Sequence, residues 1–434
     1  MIINEDVINK ILEGTFSIDA YSVIFTQKKN APIILKGSGS IYQDNNGNLK
    51  IKVLSELKGA NSLYFNGPFA EAGIGKVIDD CYYFEMKCID FEYNTWLSNH
   101  LNPFAGAKHY DEGLVIDANL SMIKTTFIGN ENLNYTRFII SPGKVNFPSN
   151  GFTKVNNRND FIVSTIELDD VKLELKSYDD YLIVLFSSKM TFEKEISVKV
   201  MQALNIVSGN KLHETIYQED FNGKVHTVIR SGMLDNKGII LNQPIKTTGP
   251  YQFDDFSGFI RCYVNFFSGK NDNFFNYWWK IYKSWAGSIE NSALSLTVSI
   301  EGVLNEYFKS YMVTEEDFID EAKKTKIIIE DLLIDERIKS RLVQNLNGAG
   351  RGTPKNALYK LVTKGVISKD LADCWVKLRS KSAHAVEING NAREQYIYDY
   401  MKCLELFYKL LFEVVGYKGK YISFSQPGWP LVQA

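Results

Sequence analysis

The spacing of apolar residues changes once along this chain, across a break at about residues 245–272, and this change constrains the fold more than any other feature. Before it, short runs rich in β-branched and aromatic residues alternate with turn signals such as Asn45-Asn-Gly-Asn48 and Pro148-Ser-Asn-Gly151. After it, apolar residues recur every three or four positions, and no proline occurs between Asn271 and Pro354. The sequence therefore predicts an α+β protein in which a β-rich region precedes an all-α helical bundle.

The β-rich part contains six runs with the length and composition of strands. They cover residues 21–26, 49–53, 82–89, 161–166, 171–175 and 181–186. One helix is predicted among them, over 192–207, because Ile196, Val200 and Leu204 follow helical spacing and Gly209 lies just beyond. The pattern leaves open whether the strands form a sandwich or two small sheets.

The second part is predicted to consist of long helices. The first spans 275–311, the second starts at the capping box Thr314-Glu-Glu-Asp317, and a third covers 336–346. The later helices start at three signals: Thr353 followed by Pro354, Ser368, and Asn391-Ala-Arg-Glu394. We therefore divide the chain into a β-rich N-terminal region of one or two subdomains, a linker, a helical domain and a C-terminal tail, over 1–250, 251–272, 273–416 and 417–434.

Composition and cysteine usage indicate a globular protein of a reducing compartment. Hydrophobic residues make up 45% of the chain and charged residues 23%, which is typical of folded domains. The five cysteines are scattered and never spaced Cys-x-x-Cys, so we expect buried free thiols and no zinc site. The N-terminus has no cationic signal region, and no apolar run approaches the roughly 18 residues of a membrane helix. The expectation is a cytoplasmic protein without a membrane partner.

Positive charge is concentrated in one segment of the helical part. Between Glu336 and His384 there are eleven lysines and arginines against three acids, a net charge of +8 in a chain whose total is −2. Such a basic segment in an otherwise acidic protein is expected where phosphates are bound, which makes RNA a candidate partner. The alternative is an ordinary solvated helix face.

The basic segment contains a pair of residues suited to RNA cleavage, Arg379 and His384, spaced Arg-x4-His. An imidazole can accept the proton of a ribose 2′-hydroxyl or protonate the leaving 5′-oxygen at cellular pH. A guanidinium keeps its charge and can bind two phosphate oxygens as negative charge builds up. This chemistry requires no metal and no cofactor. Because five positions correspond to about 140° of rotation on one helix, we expect a cleft shared by two protomers. The alternative is a surface arginine and a structural histidine.

The stretch Leu378-Arg-Ser-Lys-Ser-Ala-His384 resembles the signature of HEPN ribonucleases, in which arginine and histidine lie between long helices. The helix around Leu294-Ser-Leu-Thr-Val-Ser-Ile-Glu-Gly-Val-Leu304 resembles the first HEPN helix, which often carries an inward acidic residue, and Glu301 is the candidate for it. Glu301 orients Arg379 or His384 across the bundle, or else it is an exposed helix residue. The family usually has Asn, Asp or His after the arginine, whereas this chain has Ser380, whose hydroxyl is a candidate supporting group.

The layout of a β-rich region followed by this helical domain resembles ApeA-type antiphage proteins. The resemblance implies a HEPN-type bundle, a homodimer formed through the C-terminal domain, metal-independent cleavage of host RNA, and a phage-derived trigger. Candidate RNA-binding residues are Lys377 and Lys381 beside Arg379, and Arg351 in a glycine-rich loop. The competing hypothesis is a non-catalytic helical adaptor or dimerisation module that uses the basic face to hold RNA or a protein.

Overall fold

The computed structural model confirms an α+β protein, and the chain divides into two compact units. The first unit comprises Met1–Lys194 and Lys211–Gly238, and the second comprises Glu195–Asn210 and Ile239–Ala434. The structure describes residues 5–55, 76–110, 113–129, 135–155, 158–232, 240–248, 252–270, 273–312, 316–348, 352–383 and 391–434.

The first unit is built on one antiparallel sheet. Its elements are α1 (Glu5–Leu12), β1 (Ser17–Gln27), β2 (Ile34–Gln43), β3 (Leu49–Ser55), β4 (Phe84–Asp90), β5 (Thr95–Leu101), β6 (Lys108–Tyr110), β7 (Gly113–Leu120), β8 (Met122–Ile128), β9 (Tyr135–Pro142), β10 (Gly151–Val155), β11 (Arg158–Leu168), β12 (Val171–Ser177), β13 (Tyr181–Ser188), β14 (Ile216–Phe221) and β15 (Lys224–Arg230). Among the described residues, these fifteen strands are hydrogen-bonded in the order β10-β11-β12-β13-β9-β14-β15-β8-β5-β4-β1-β2-β3-β7-β6. They form one continuous order and not two separate sheets.

Alternation along the strands explains why this sheet forms. In β3, the side chains of Leu49, Ile51 and Val53 are buried, whereas those of Lys52 and Leu54, which alternate with them, are exposed. Successive side chains of a strand point to opposite faces, so such a run covers a core with one face only. Each of the six predicted strand runs overlaps an observed strand.

The second unit is mainly helical and ends in a small hairpin. Its elements are α2 (Lys194–Ser208), α3 (Phe253–Phe267), α4 (Asn273–Trp285), α5 (Ile289–Tyr307), α6 (Glu316–Asp331), α7 (Glu336–Asn347), α8 (Pro354–Thr363), α9 (Lys369–Ala383), α10 (Asn391–Val415), β16 (Lys420–Ile422) and β17 (Leu431–Gln433). The predicted caps are present at two helices. The Thr353 hydroxyl accepts from the Asn356 amide at 3.2 Å, and the Ser368 hydroxyl accepts from the Leu371 amide at 3.4 Å. The predicted capping box at Thr314 lies outside the described residues.

The domain limits differ from the predicted ones in the region treated as a linker. Residues 253–267 of that region form α3, whose buried residues include Phe256, Phe259, Tyr263 and Phe267. Their spacing of three and four is that of an amphipathic helix, so this signal was present in the sequence. The predicted linker is therefore an integral helix of the second unit.

Helix α2 also changes place relative to the predicted division, since it belongs to the second unit. It is buried on nearly every side. The two residues that follow it are hydrogen-bonded to the second unit: the Tyr282 hydroxyl donates to Asn210 at 3.2 Å, and the Leu241 amide donates to the Gly209 carbonyl at 2.8 Å. Gly209 has φ +64°, and a Cβ there would lie 1.9 Å from the Leu241 carbonyl oxygen, so only glycine fits.

Two further predictions on helix limits are corrected. The single helix expected over 275–311 is two helices, because Ser288 starts α5 by accepting from the Asn291 amide at 3.2 Å. The expected tail over 417–434 folds into the β16–β17 hairpin, in which Tyr421 and Phe424 are buried. Both differences arise from local contacts that periodicity does not encode.

The five cysteines are all free thiols; Cys88, Cys374 and Cys403 are buried, and the other two are partly exposed. Burial raises the pKa of the Cys403 thiol well above its ordinary range, which keeps it uncharged and unreactive. Across the described part of the chain, no helix combines the length and apolar character that crossing a bilayer requires.

Candidate functional site

The candidate site lies on α9. This helix packs on the bundle through the apolar stripe that the sequence predicts. Leu371, Trp375 and Leu378 are all buried. The indole Nε1 of Trp375 donates to the carbonyl oxygen of Thr297 on α5 at 3.1 Å, and the hydroxyls of Thr297 and Ser382 lie 3.3 Å apart. These contacts fix the rotation of α9 about its axis and so determine which side chains face outward.

Arg379 and Glu301 form an ion pair between α9 and α5. Both Nε and Nη2 of Arg379 approach Oε2 of Glu301, at 2.8 and 2.6 Å. The two side chains are 34% and 32% exposed, so the pair lies at the surface of the bundle and is reached by solvent. The contact that the sequence analysis considered for Glu301 is therefore present, and it directs the guanidinium.

The geometry leaves part of the guanidinium available. Glu301 binds the Nε and Nη2 side, whereas the described residues offer Nη1 no hydrogen-bond acceptor. A guanidinium held on one side by a carboxylate keeps its position while its remaining donors can bind a second anion. The arrangement is suited to holding a phosphate at the surface of α9.

Lys377 and Lys381 are not simple solvent-exposed cations, since both lie near Asp399 on α10. Their Nζ atoms are 3.4 and 3.7 Å from Oδ2 of Asp399, a residue that is only 3% exposed. The other carboxylate oxygen accepts from Gln395 Nε2 at 2.8 Å. Asp399 therefore offsets part of the positive charge on either side of Arg379.

Asp399 is not among the residues predicted from the sequence, although the sequence carries a signal for it. It follows Tyr396 by three positions and precedes Cys403 by four, and both of these are buried. An acid in such an apolar stripe requires a charged or polar partner, because burying an unpaired charge is costly. Choosing that partner required knowing that α9 packs beside α10.

Four lysines on α8, on the turn after it and at the start of α9 have no acidic partner among the described residues. Among the described residues, no carboxylate lies within ion-pair distance of Lys355, Lys360, Lys364 or Lys369, all of which are exposed. Lys364 instead lies over the ring of Tyr311, with its Nζ 4.3 Å from the ring centroid. Helix α8 and the first turn of α9 thus keep a net positive surface.

The remaining candidate residues are placed only in part. Ser380 is exposed on α9 and follows Arg379 directly. His384 and Arg351 lie outside the described residues, and the described part of α9 ends at Ala383, next to His384 in the chain. The structure therefore describes the guanidinium half of the predicted catalytic pair.

A comparison with models of protein families found no match, and comparisons with curated proteins and with solved structures found none either. What the chain does is therefore inferred from its own residues.

Proposed function

We propose that this protein is a metal-independent endoribonuclease whose reaction uses Arg379 and His384. The observation that carries the proposal is the Arg379–Glu301 ion pair, which holds a solvent-reached guanidinium on the basic helix that leads to His384. A charged donor fixed in this way can stabilise a phosphate as its negative charge increases, without rearranging during the reaction.

The proposed reaction is an internal transfer within the RNA. A base accepts the proton of the 2′-hydroxyl, the 2′-oxygen bonds to phosphorus, and the bond from phosphorus to the 5′-oxygen breaks. That oxygen takes a proton from an acid. His384 acts as the general acid or the general base, and the products are a 2′,3′-cyclic phosphate and a 5′-hydroxyl.

The basic surface supplies binding in this proposal. The unpaired lysines of α8 and of the first turn of α9 attract the RNA backbone, and Lys377 and Lys381 contact phosphates beside Arg379. Ser380 orients the phosphate or the imidazole, and Arg351 adds a contact from its loop. Two C-terminal domains of a homodimer would bring two Arg379/His384 pairs together.

The resemblance to HEPN ribonucleases and to ApeA-type antiphage proteins adds a cellular role to this proposal, namely antiphage defence. In that setting the enzyme acts in the cytoplasm of an infected cell and degrades host RNA. The N-terminal sheet unit restrains the nuclease until a phage-derived trigger is present.

The direct test is to incubate the purified full-length protein with total RNA in EDTA and to analyse the fragment ends. Fragments with 2′,3′-cyclic phosphate ends, lost in Arg379→Ala, are expected. Cleavage that requires a divalent metal, or that Arg379→Ala leaves intact, would reject the proposal.

A second candidate is a non-catalytic adaptor that holds RNA, which the lysines of α8 and α9 favour because they bind phosphate without further chemistry. If the protein is such an adaptor, it should bind RNA without cleaving it in the same assay. The assay is therefore repeated with extracts of phage-infected cells, so that a missing trigger is not mistaken for a missing activity.

Removing the charge of Glu301 is expected to slow cleavage through Arg379. Glu301→Gln should lower kcat by roughly 10- to 100-fold, because a misplaced catalytic group costs about that much. The matched control is Glu306→Gln on the same helix, whose carboxylate binds Asn273 and Tyr277 and should not affect kcat. In an Arg379→Ala background, Glu301→Gln should have no further effect; a full additional loss would show that Glu301 acts independently of Arg379.

Removing the charge of Asp399 is expected to strengthen RNA binding. Asp399→Asn keeps an oxygen for Gln395 but frees Lys377 and Lys381, which should lower the Kd for RNA by roughly threefold to tenfold at low salt and steepen its salt dependence. The control is Asp179→Asn, which makes the same change in net charge at the exposed pair with Lys144 in the first unit. Equal effects of both variants would mean that only net charge matters.

A further inference from the structure

Three aromatic side chains lie together on the surface of the first unit, one on β1 and two on the turn that joins β4 to β5. Tyr21, Phe91 and Tyr93 are 42%, 68% and 81% exposed. The centroid of the Tyr21 ring lies 5.9 Å from that of Phe91 and 6.0 Å from that of Tyr93. These three residues, called the aromatic cluster below, expose on the order of 400 Å² together, an area that often marks a functional surface in monomeric proteins.

A β-bulge in β1 brings Tyr21 into the aromatic cluster. Between Ala20 and Ser22 the register of β1 shifts by one residue against β4, so Tyr21 is the extra residue at this point. A bulge redirects a side chain, and bulges are frequent next to functional sites. The irregularity therefore places the Tyr21 ring at the end of β4, beside the turn that carries the two other rings.

The turn holds Tyr93 in a backbone conformation that residues other than glycine rarely adopt. Its φ is +64°, in the left-handed region. Tyrosine lacks the short polar side chain with which asparagine or aspartate stabilises this conformation locally. Non-glycine residues with such strain cluster at ligand-binding sites. Because the Tyr93 ring is largely exposed, packing within the fold does not account for the strain.

Asp90 makes the turn rigid. This residue is buried, and its Oδ1 accepts from the amides of Glu92 and Asn94 at 2.9 and 2.8 Å. Its Oδ2 accepts from the Asn94 side chain at 3.0 Å and from the Trp96 indole at 2.9 Å. The Tyr93 amide donates to the Asp90 carbonyl at 3.1 Å. Since a surface that is already ordered loses less entropy on association, the aromatic cluster is preorganised for binding.

Two acidic side chains beside the aromatic cluster have no basic partner. Glu92 lies in the turn between the two clustered residues, and Asp19 lies on the outward side of β1, two residues before Tyr21. Within the described part of the chain, no lysine, arginine or histidine lies within ion-pair distance of either carboxylate. Aromatic faces attract cations, and carboxylates add to that attraction. The surface is therefore complementary to a positively charged group and repels phosphates.

The exposure of the rings favours a protein partner over a small molecule. Side chains exposed to this degree protrude from the surface, whereas small ligands bind in clefts and cavities. Tyrosine and other aromatic residues are enriched among the residues that contribute most to protein–protein binding, as is arginine. A guanidinium suits this surface best, because its plane stacks on aromatic rings and its donors bind a carboxylate in pairs.

We propose that the aromatic cluster, together with Asp19 and Glu92, is a docking site for a partner protein that presents an arginine or lysine side chain. The cation lies against the exposed rings and pairs with the two carboxylates. This inference goes beyond the proposed function, since it concerns recognition of another protein by the first unit and holds whether or not the chain cleaves RNA.

The test is to sort a yeast-displayed library of random dodecapeptides with the labelled full-length protein, after removal of the peptides that bind Phe91→Ala. The enriched peptides should contain arginine or lysine. In a selected arginine peptide, citrulline keeps the shape of the side chain without its charge. This replacement should raise the Kd by roughly threefold to thirtyfold, the usual worth of a cation–π contact.

Variants of the protein make the outcome specific. Tyr21→Ala and Glu92→Gln should weaken binding of the selected peptide, whereas Tyr110→Ala should not, since it removes a 60% exposed tyrosine from β6 of the same sheet. Tyr93→Asn should weaken binding without lowering the Tm, because asparagine tolerates the left-handed backbone. A ring that served only to stabilise the turn would give a lower Tm and unchanged binding.

Three results would overturn the proposal: no enriched peptide, enriched peptides without a cationic residue, or a selected peptide whose Kd citrulline leaves unchanged. Single-stranded RNA is a further probe. Binding of RNA that is lost in Phe91→Ala and kept in Tyr110→Ala would assign the aromatic cluster to base stacking instead.

Discussion

Replacing His384 by alanine is expected to lower the rate of RNA cleavage by roughly 10²–10⁴-fold, the usual worth of general acid–base catalysis. Without the imidazole, one of the two proton transfers, from the 2′-hydroxyl or to the leaving 5′-oxygen, has no side chain to carry it out, while Arg379 still holds the phosphate. The loss should therefore fall on kcat, with little change in the Kd for RNA. Single-turnover cleavage of a labelled RNA in EDTA measures both.

The matched control is His226→Ala, which removes an imidazole from β15 in the first unit, where its Nδ1 lies 2.9 Å from the Thr126 hydroxyl. This variant should cleave at the unmodified rate. If His384→Ala retains activity, or if both variants lose it equally, His384 is not the proton-transfer group. A combined His384→Ala and Arg379→Ala variant should be scarcely worse than the histidine change alone, since residues that act as a unit are strongly non-additive.

Replacing Glu405 by alanine is expected to destabilise the helical unit by about 3–5 kcal/mol, because several buried donors lose their common acceptor at once. The carboxylate is 3% exposed and accepts from the Tyr421 hydroxyl at 3.0 Å, from the Ser423 hydroxyl at 3.1 Å and from the Ser425 amide at 2.6 Å. Burial, together with the nearby Glu405 carboxylate, raises the pKa of Tyr421, so its hydroxyl remains a donor at neutral pH. These bonds attach the β16–β17 hairpin to α10.

Urea unfolding followed by tryptophan fluorescence measures this effect, since five of the six tryptophans belong to the second unit. The control is Glu413→Ala, on the same helix but paired with Lys418 at the surface, which should cost less than about 1 kcal/mol. Glu405→Gln should lie between the two, because an amide keeps one acceptor oxygen. An equal effect of Glu405→Ala and Glu413→Ala would mean that the hairpin is not held by this carboxylate.

Local patterns predicted most of the elements and part of the site. Alternation over 171–175 and the strand-length apolar run over 181–186 predicted strands that are present as β12 and β13. Thr353 and Pro354 predicted the start of α8, because a cap hydroxyl accepts from an amide of the first turn and proline leaves no amide hydrogen unpaired there. The linker was wrong although the spacing of Phe256, Phe259 and Phe267 encoded a helix.

The site shows the same division. The stripe of Leu371, Trp375 and Leu378 follows from helical periodicity, and the sequence singled out Arg379 on the outward side. Glu301 binds this guanidinium because α5 packs against α9, and Asp399 lies beside two lysines because α10 packs against α9. Those partners lie 78 and roughly 20 positions away in sequence, where no local rule applies.

The sequence by itself determined the change from a strand to a helix pattern, the caps, the basic segment and the spacing of Arg379 and His384, because each depends on residues within a few positions of one another. Only the tertiary structure decided the order of the fifteen strands among the described residues, the place of α2 and α3 in the helical unit, and the carboxylates that face Arg379, Lys377 and Lys381. The physical reason is that these outcomes are choices of partner between distant segments, and packing and charge settle them only when the chain folds as a whole.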